Sequence, residues 1–215
     1  YLKRNKEMKV SNVAGIARSA MFVSLNISLY SGRKQDKGTQ AEVVASKGAG
    51  SARAASVYKN LFSDCPELDA ISKFQSKVRV RHYALTLPWN DNGLRLLPAR
   101  GLLDYQAEMG KAKDHFELLV DAFVQKYDTL VAAAAFKLGS MFDRAEYPDG
   151  AQVAKRFRFD IDFSPMPTAG DFRLDIESEV QQSLIDQYEQ RMAAQVAAAK
   201  GVAEGLLEEM NRSEE

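Results

Sequence analysis

Cysteine is all but missing: Cys65 is the only one in 215 residues. A lone thiol excludes an internal disulfide and any multi-thiolate metal site. Histidine is nearly as scarce. His82 and His115 stand far apart, and neither has a carboxylate-histidine motif beside it, so no metal-ligand set is expected. No serine sits in a Gly-x-Ser-x-Gly elbow. The one Gly-x-Gly, at Gly48-Ala49-Gly50, lacks both a preceding strand and the second half of a phosphate loop. Long apolar runs are absent as well, and spanning a bilayer takes roughly 20 residues of them. The most apolar early stretch, Ala20 to Leu29, is too short and is broken by Ser24, Asn26 and Ser28. Basic residues precede it, but no small-residue cleavage site closes it, so it does not read as a signal peptide. These absences point away from an enzyme, a cofactor and a membrane, and towards a cytoplasmic protein; Met8, followed by Lys-Val-Ser-Asn, is the start expected of it.

Net charge is also missing, with 29 basic and 29 acidic side chains, yet the average hides a polarity. Residues 1–100 carry 17 Lys+Arg against 7 Asp+Glu, a net of +10. Residues 101–215 carry 12 against 22, a net of −10. Such a division suits an anionic ligand on the basic half, or self-association between opposite faces. The apolar content of 46% with 27% charged residues is that of a globular chain.

Periodicity then places the elements. Met21 to Tyr30 alternates with period two, predicting a half-buried strand whose odd-numbered residues point inward. Ser31 to Gly38 reads as a basic loop, and residues 39–62 as helical pieces interrupted at Gly48-Ala49-Gly50. Asp64, with Pro66 and Glu67 after it, predicts a capping-box-like helix start. Leu68, Ile71, Phe74, Val78 and Leu85 share one face of that helix, which Pro88 ends. Asn90 to Gly93 forms a turn, and Gly93 to Pro98 a short extended segment. Leu102, Tyr105, Met109, Ala112, Phe116, Leu119 and Phe123 step by three and four, the seam of a coiled coil or helical hairpin. Thr129 is expected to cap a second helix over Leu130–Phe142. Phe157–Phe163 and Asp171–Ile176 alternate as further strands. Asp160 and Asp162 lie about 7 Å apart on one strand face and read as a wet face rather than a cation site. From Glu177 the chain is one long helix. The fold class expected is α+β: a small antiparallel sheet packed on helices, with a long helical hairpin or a C-terminal helical arm. Residues 1–176 form the core domain and 177–215 the C-terminal helix.

The stretch KVRVRHYALTLPW, residues 77–89, concentrates the candidate chemistry. Lys73, Lys77 and Arg81 stack at i, i+4 and i+8, where like charges repel by a few tenths of a kcal/mol per pair. With Arg79 beside them, an anion would relieve that repulsion. Phosphate backbones are such anions, and Tyr83 and Trp89 offer faces on which unpaired bases can stack. Trp89 equally fits a core plug beside Pro88, a reading that Leu94, Leu96 and Leu97 favour. Arg33, Lys34 and Lys37 supply a second basic element. The leading reading is a non-enzymatic nucleic-acid-binding protein, for single-stranded DNA first of all, with Arg33, Lys34, Lys37, Lys73, Lys77, Arg79, Arg81, Tyr83 and Trp89 as its site. The alternative is a structural or assembly protein that forms homo-oligomers through its long helices and opposite-charge faces.

Four segments carry a resemblance: S-L-N-I-S-L-Y-S-G-R-K-Q-D-K, R-x-x-H-Y-A-L-T-L-P-W-x-D-x-G-x-R-L-L-P, F-D-R-A-E-Y-P and D-F-R-L-D-I. Together they resemble an uncharacterised family of tailed-phage and prophage proteins, over roughly Val10 to Ile176. Members of that family are longer, so the chain is expected to stop inside its C-terminal helix. The resemblance implies a phage setting, where nucleic-acid handling and assembly are both common, and it transfers no activity and no catalytic residue.

Overall fold

A computed structural model of the chain describes residues 19–89 and 93–166, with helical positions 183, 186, 187, 189–198, 201, 204, 205 and 212. The strand expected over residues 171–176 and the turn residues 90–92 lie outside the described residues. The fold is α+β, a four-stranded antiparallel sheet packed against helices. Its chain divides into two compact units.

The first unit comprises Tyr1–Asn26, Lys77–Lys111 and Asp160–Glu215. Strand β1 (Ala20–Ser28) starts here and lies between β5 (Arg95–Pro98) and β6 (Arg158–Pro165), with β4 (Leu87–Pro88) outside β5. The register sets Phe22 against Leu96 and Met21 against Leu97. Alternation holds from Val23 to Ser28, with Val23, Leu25 and Ile27 buried and Asn26 and Ser28 exposed, and ends with the strand, since Tyr30 on the expected outward face is buried. Phe22 breaks the pattern, because both faces of the sheet are covered at this end. Phe22 and Leu96 pack with Met166 and Met192, and Ala20, Leu87, Trp89 and Leu94 close over them. The stretch expected as one helix from Glu177 is helical wherever it is described, and Met192 is its buried anchor. Asn26 donates to Asp162 Oδ2 at 3.2 Å on the wet face of the sheet.

Unit two comprises Ile27–Ser76 and Ala112–Phe159. The expected basic loop and helical pieces resolve differently here. β2 (Arg33–Gln35) pairs antiparallel with β3 (Tyr58–Asn60), and helix α1 (Lys37–Ser46) follows β2 directly. Asp36 caps α1, its Oδ1 accepting from the Thr39 amide at 3.0 Å. Strands of three residues leave no period to read, which is why β2 reads as loop and β3 as part of a helical piece in the sequence. Gly32, at φ +59°, precedes β2; a Cβ there would approach Leu68 and Phe62 side-chain carbons to 3.3 Å. Phe62 is the hub of the core, with ring contacts to Tyr30, Phe123, Tyr127 and Tyr147 at centroid distances of 5.4 to 6.3 Å. Phe116 and Phe157 extend the cluster.

Helix α2 (Pro66–Leu85) begins one residue later than the capping-box reading places it. Asp64 takes φ +56°, a left-handed conformation that aspartate tolerates. The residue flanking the helix is therefore Cys65, whose carbonyl accepts from the Asp69 amide at 3.1 Å. Pro66 occupies the first helical position, where a missing N–H costs nothing. The Cys65 thiol is buried, and burial raises its pKa.

Helix α3 (Leu102–Leu138) is a single element of 37 residues. No second helix starts at Thr129. The three-and-four stepping of buried residues runs through that position, from Phe123 to Tyr127, Val131 and Ala134. Phe116 and Phe123, 2% and 0% exposed, are core residues rather than an assembly seam. Helix α4 (Gly150–Ala154) is a short turn capped by Asp149. Among the described residues no helix is long and apolar enough to cross a membrane.

Candidate nucleic-acid interface

The two basic elements fall in different surroundings, and each is built locally. On the β2–β3 ribbon of the second unit, the register pairs Arg33 with Asn60, Lys34 with Lys59 and Gln35 with Tyr58. Side chains of paired residues share a face, so Arg33, Gln35, Tyr58 and Asn60 point one way and Lys34 and Lys59 the other. The second face turns inward. Lys59 is buried and pairs with Glu146 Oε2 at 2.5 Å, and its ammonium also donates to the Met141 carbonyl at 2.8 Å. Lys34, half-exposed, lies 3.8 Å from the same carboxylate.

All four residues of the first face are exposed. Tyr58 is 57% exposed, and the Arg33 guanidinium stands 5.9 Å over its ring. Exposed Lys37 follows at the start of α1, with Asp36 between them committed to its cap. Hydrogen bonding to Thr39 holds the Asp36 carboxyl below its ordinary pKa, so it stays an anion fixed to the helix end. Gln35 donates to Gln40 Oε1 at 2.7 Å, and Gln40 donates to the Ala52 carbonyl at 2.9 Å. Beside them a groove of about 430 Å³ runs along α1, with Lys37 at its rim and Ala41, Val44 and Ala49 in its wall. Tyr58 is the residue that sequence reasoning misses. Its one signal is an aromatic among small and polar neighbours, Ser56-Val57-Tyr58-Lys59-Asn60.

The basic residues of α2 meet a different fate. Lys73 and Lys77 are exposed and have no carboxylate partner among the described residues. Arg81, which looks isolated from carboxylates in the sequence, is gripped by both oxygens of Glu108 on α3, the Nη2 contact being 2.9 Å. That bidentate bond raises the Arg81 pKa and lowers that of Glu108. Arg79 is half-buried. Tyr83, 51% exposed, lies under the Arg95 guanidinium at 4.7 Å. Arg95 is in turn anchored by Thr86 Oγ1 at 2.6 Å, the Thr86 carbonyl at 2.8 Å and the Tyr83 carbonyl at 3.4 Å. It thus covers carbonyls at the end of α2, where a cation is favoured. Trp89 is half-buried, its ring 4.9 Å from that of Phe22 at an interplanar angle of 50°. This is the packed environment that the plug reading requires.

His82, the most conspicuous polar residue of the stretch, points inward. It is 2% exposed, with Nδ1 at 2.8 Å from the Tyr105 hydroxyl. Burial, reinforced by the charges of Arg95 and Arg79, lowers its pKa to about 4. The ring is neutral at physiological pH. Burial also pushes Tyr105 up to about 12, so the contact is a hydrogen bond between two neutral groups. Among the described residues no cluster of His, Cys, Asp or Glu is arranged to hold a metal ion. Comparisons with known protein families, with curated proteins and with solved structures find no match for the chain.

Proposed function

We propose that this protein binds single-stranded nucleic acid, DNA in the first place, without catalysing a reaction on it. The outer face of the β2–β3 ribbon is the binding surface. In the phage setting that the sequence resemblance implies, this is a role in DNA metabolism in the host cytoplasm.

One observation carries the reading: the exposed Tyr58 ring, flanked by Arg33 on a ribbon whose other outward residues, Gln35 and Asn60, are amides. Nucleic-acid strands are held by cations on phosphates and by aromatic rings under bases, and stacking is worth about 1–3 kcal/mol per base. Arg33 and Lys37 supply the first and Tyr58 the second, while the amides can meet base edges. Lys34 contributes less, because Glu146 shares its charge. On α2, Lys73 and Lys77 add exposed positive charge. Arg79, Arg81, Tyr83 and Trp89 are assigned instead to the packing of their own unit. A single strand is favoured over a duplex because an exposed ring needs an unstacked base to work on.

Fluorescence anisotropy with a labelled oligonucleotide tests this. Arg33 and Lys37, each neutralising one phosphate of a single strand, give a slope of log K against log[salt] of about −1.4, and any further cation steepens it. Arg33→Glu with Lys37→Glu is expected to abolish most binding while the melting temperature holds. Binding that ignores both salt and this double change would overturn the assignment.

A further inference from the structure

We infer that the outward face of α3 between Leu118 and Phe136 is a self-association seam that takes a second copy of this chain in parallel, in-register pairing. This stands independently of the nucleic-acid reading, and all its residues lie in the second unit.

Phe136 is 91% exposed and Leu118 65% exposed. Eighteen residues separate them, five full turns of helix, so both point the same way about 27 Å apart. Between them Ala122, Gln125, Thr129 and Ala132, all exposed, continue the line at steps of four and three. This stepping is the period of a supercoiled helix pair. It runs opposite the buried stepping of Phe123, Tyr127 and Val131, so α3 carries one seam for its own core and another facing outward.

Charge selects the occupant and its direction. Asp121 and Lys126 flank the outward line on opposite edges, five residues apart, which is the separation at which flanking residues of parallel partners meet. Each Asp121 then faces the Lys126 of the other copy. An antiparallel pair over the same span would place like edges together, Asp121 beside Asp128 of the other copy, where repulsion opposes pairing. Lys126 already holds Glu67 Oε1 at 2.7 Å, and an ammonium has three donors, so it can donate to a second carboxylate. Asp121 has no ion pair among the described residues. The middle of the line is small and polar, which lets two backbones approach closely but buries little apolar area. The association is accordingly weak and depends on its two ends.

The test is sedimentation of the full chain over a wide range of protein concentration, with Phe136→Asp and Ala122→Cys variants. Because Phe136 is almost fully exposed, Phe136→Asp leaves the melt of the dilute chain unchanged. It is expected to weaken dimerisation by at least about tenfold, as removal of an aromatic anchor does. The Ala122→Cys variant is expected to form a disulfide-linked dimer on mild oxidation, because residue 122 faces its own copy in a parallel, in-register pair, whereas an antiparallel pair over the same span sets it against residue 132. Native Cys65 is buried and does not compete. A chain that stays monomeric at every concentration would sink the proposal. So would a dimer indifferent to Phe136→Asp, or an Ala122→Cys dimer that fails to cross-link.

Discussion

Two tyrosines in this molecule are each about half-exposed, and each lies beneath an arginine. Tyr58 on β3 has Arg33 above it at 5.9 Å, and Tyr83 on α2 has Arg95 at 4.7 Å. Viewed as ring and cation they are the same motif. What differs is the cation's other commitments. Arg95 donates to Thr86 and to the Tyr83 carbonyl, so it is fixed to the end of α2 and the ring merely covers it. Among the described residues the Arg33 side chain makes no hydrogen bond and no ion pair, and its ring contact is with Tyr58. A tethered guanidinium belongs to the fold, whereas an untethered one beside an open ring is available to a ligand.

The comparison breaks most visibly in stability. Arg95→Ala removes charge-assisted hydrogen bonds to partly buried acceptors and is expected to destabilise the fold by about 2–3 kcal/mol. Arg33→Ala should stay within about 0.5 kcal/mol, as exposed substitutions do. Urea denaturation of the two variants side by side measures the difference, and equal losses would erase the distinction.

Next in size is a pH effect confined to the Arg95 side. His82 has a folded-state pKa of about 4, below its ordinary 6.5, because the fold favours the neutral ring. Its contribution is therefore complete above about pH 6.5 and is lost as the pH falls towards 4. Linkage puts the loss at about 2 kcal/mol by pH 5. Denaturation at pH 7 and pH 5 should show this in the parent and not in His82→Gln. A loss that persists in His82→Gln would assign it to the carboxylates instead.

Smaller still is the exchange between the two rings themselves. Tyr58→Ala is expected to cost about 1–2 kcal/mol of oligonucleotide binding with little change in stability. Tyr83→Ala should do the reverse, costing about 1 kcal/mol of stability through the lost cation–ring contact and nothing in binding. Anisotropy and melting curves on both variants measure this exchange, and equal effects of the two substitutions would refute it. At the bottom of the scale stands an expected absence of effect. Trp89, packed on Phe22, should emit in the blue and keep its intensity when oligonucleotide is added. Quenching would return it to the binding surface.

The large elements are legible in the sequence where burial imposes a period. β1 from Val23, β6 and α2 follow their alternation or stripe, and the α+β class follows from them. Three misreadings have physical causes. Thr129 is a residue type that caps helices, and the alanine-rich stretch after it dilutes the periodic signal, yet α3 continues because Val131 and Ala134 still meet the core. Phe22 lies on the nominally wet face because Met166 and Met192, distant in sequence, cover it. β2 and β3 are too short for any pattern, so only their register reveals Tyr58 as an outward residue. Lys34 and Lys37 are legible as charge, but not the carboxylate of Glu146 that shares one of them. Conversely, Arg81 announces itself as a free cation, and Glu108, 27 residues on, is its undeclared partner.

Cys65 leaves the molecule with a built-in clock. It is the sole thiol, it sits immediately before the first turn of α2, and it is 4% exposed, with its ionisation suppressed by burial. Burial shields the sulfur and disfavours the thiolate that alkylating reagents attack, so the closed chain reacts slowly with them. Labelling then proceeds through excursions in which the α2 start lifts from its packing, and where reclosing outpaces labelling its rate, relative to that of an exposed thiol, gives the free energy of that local opening.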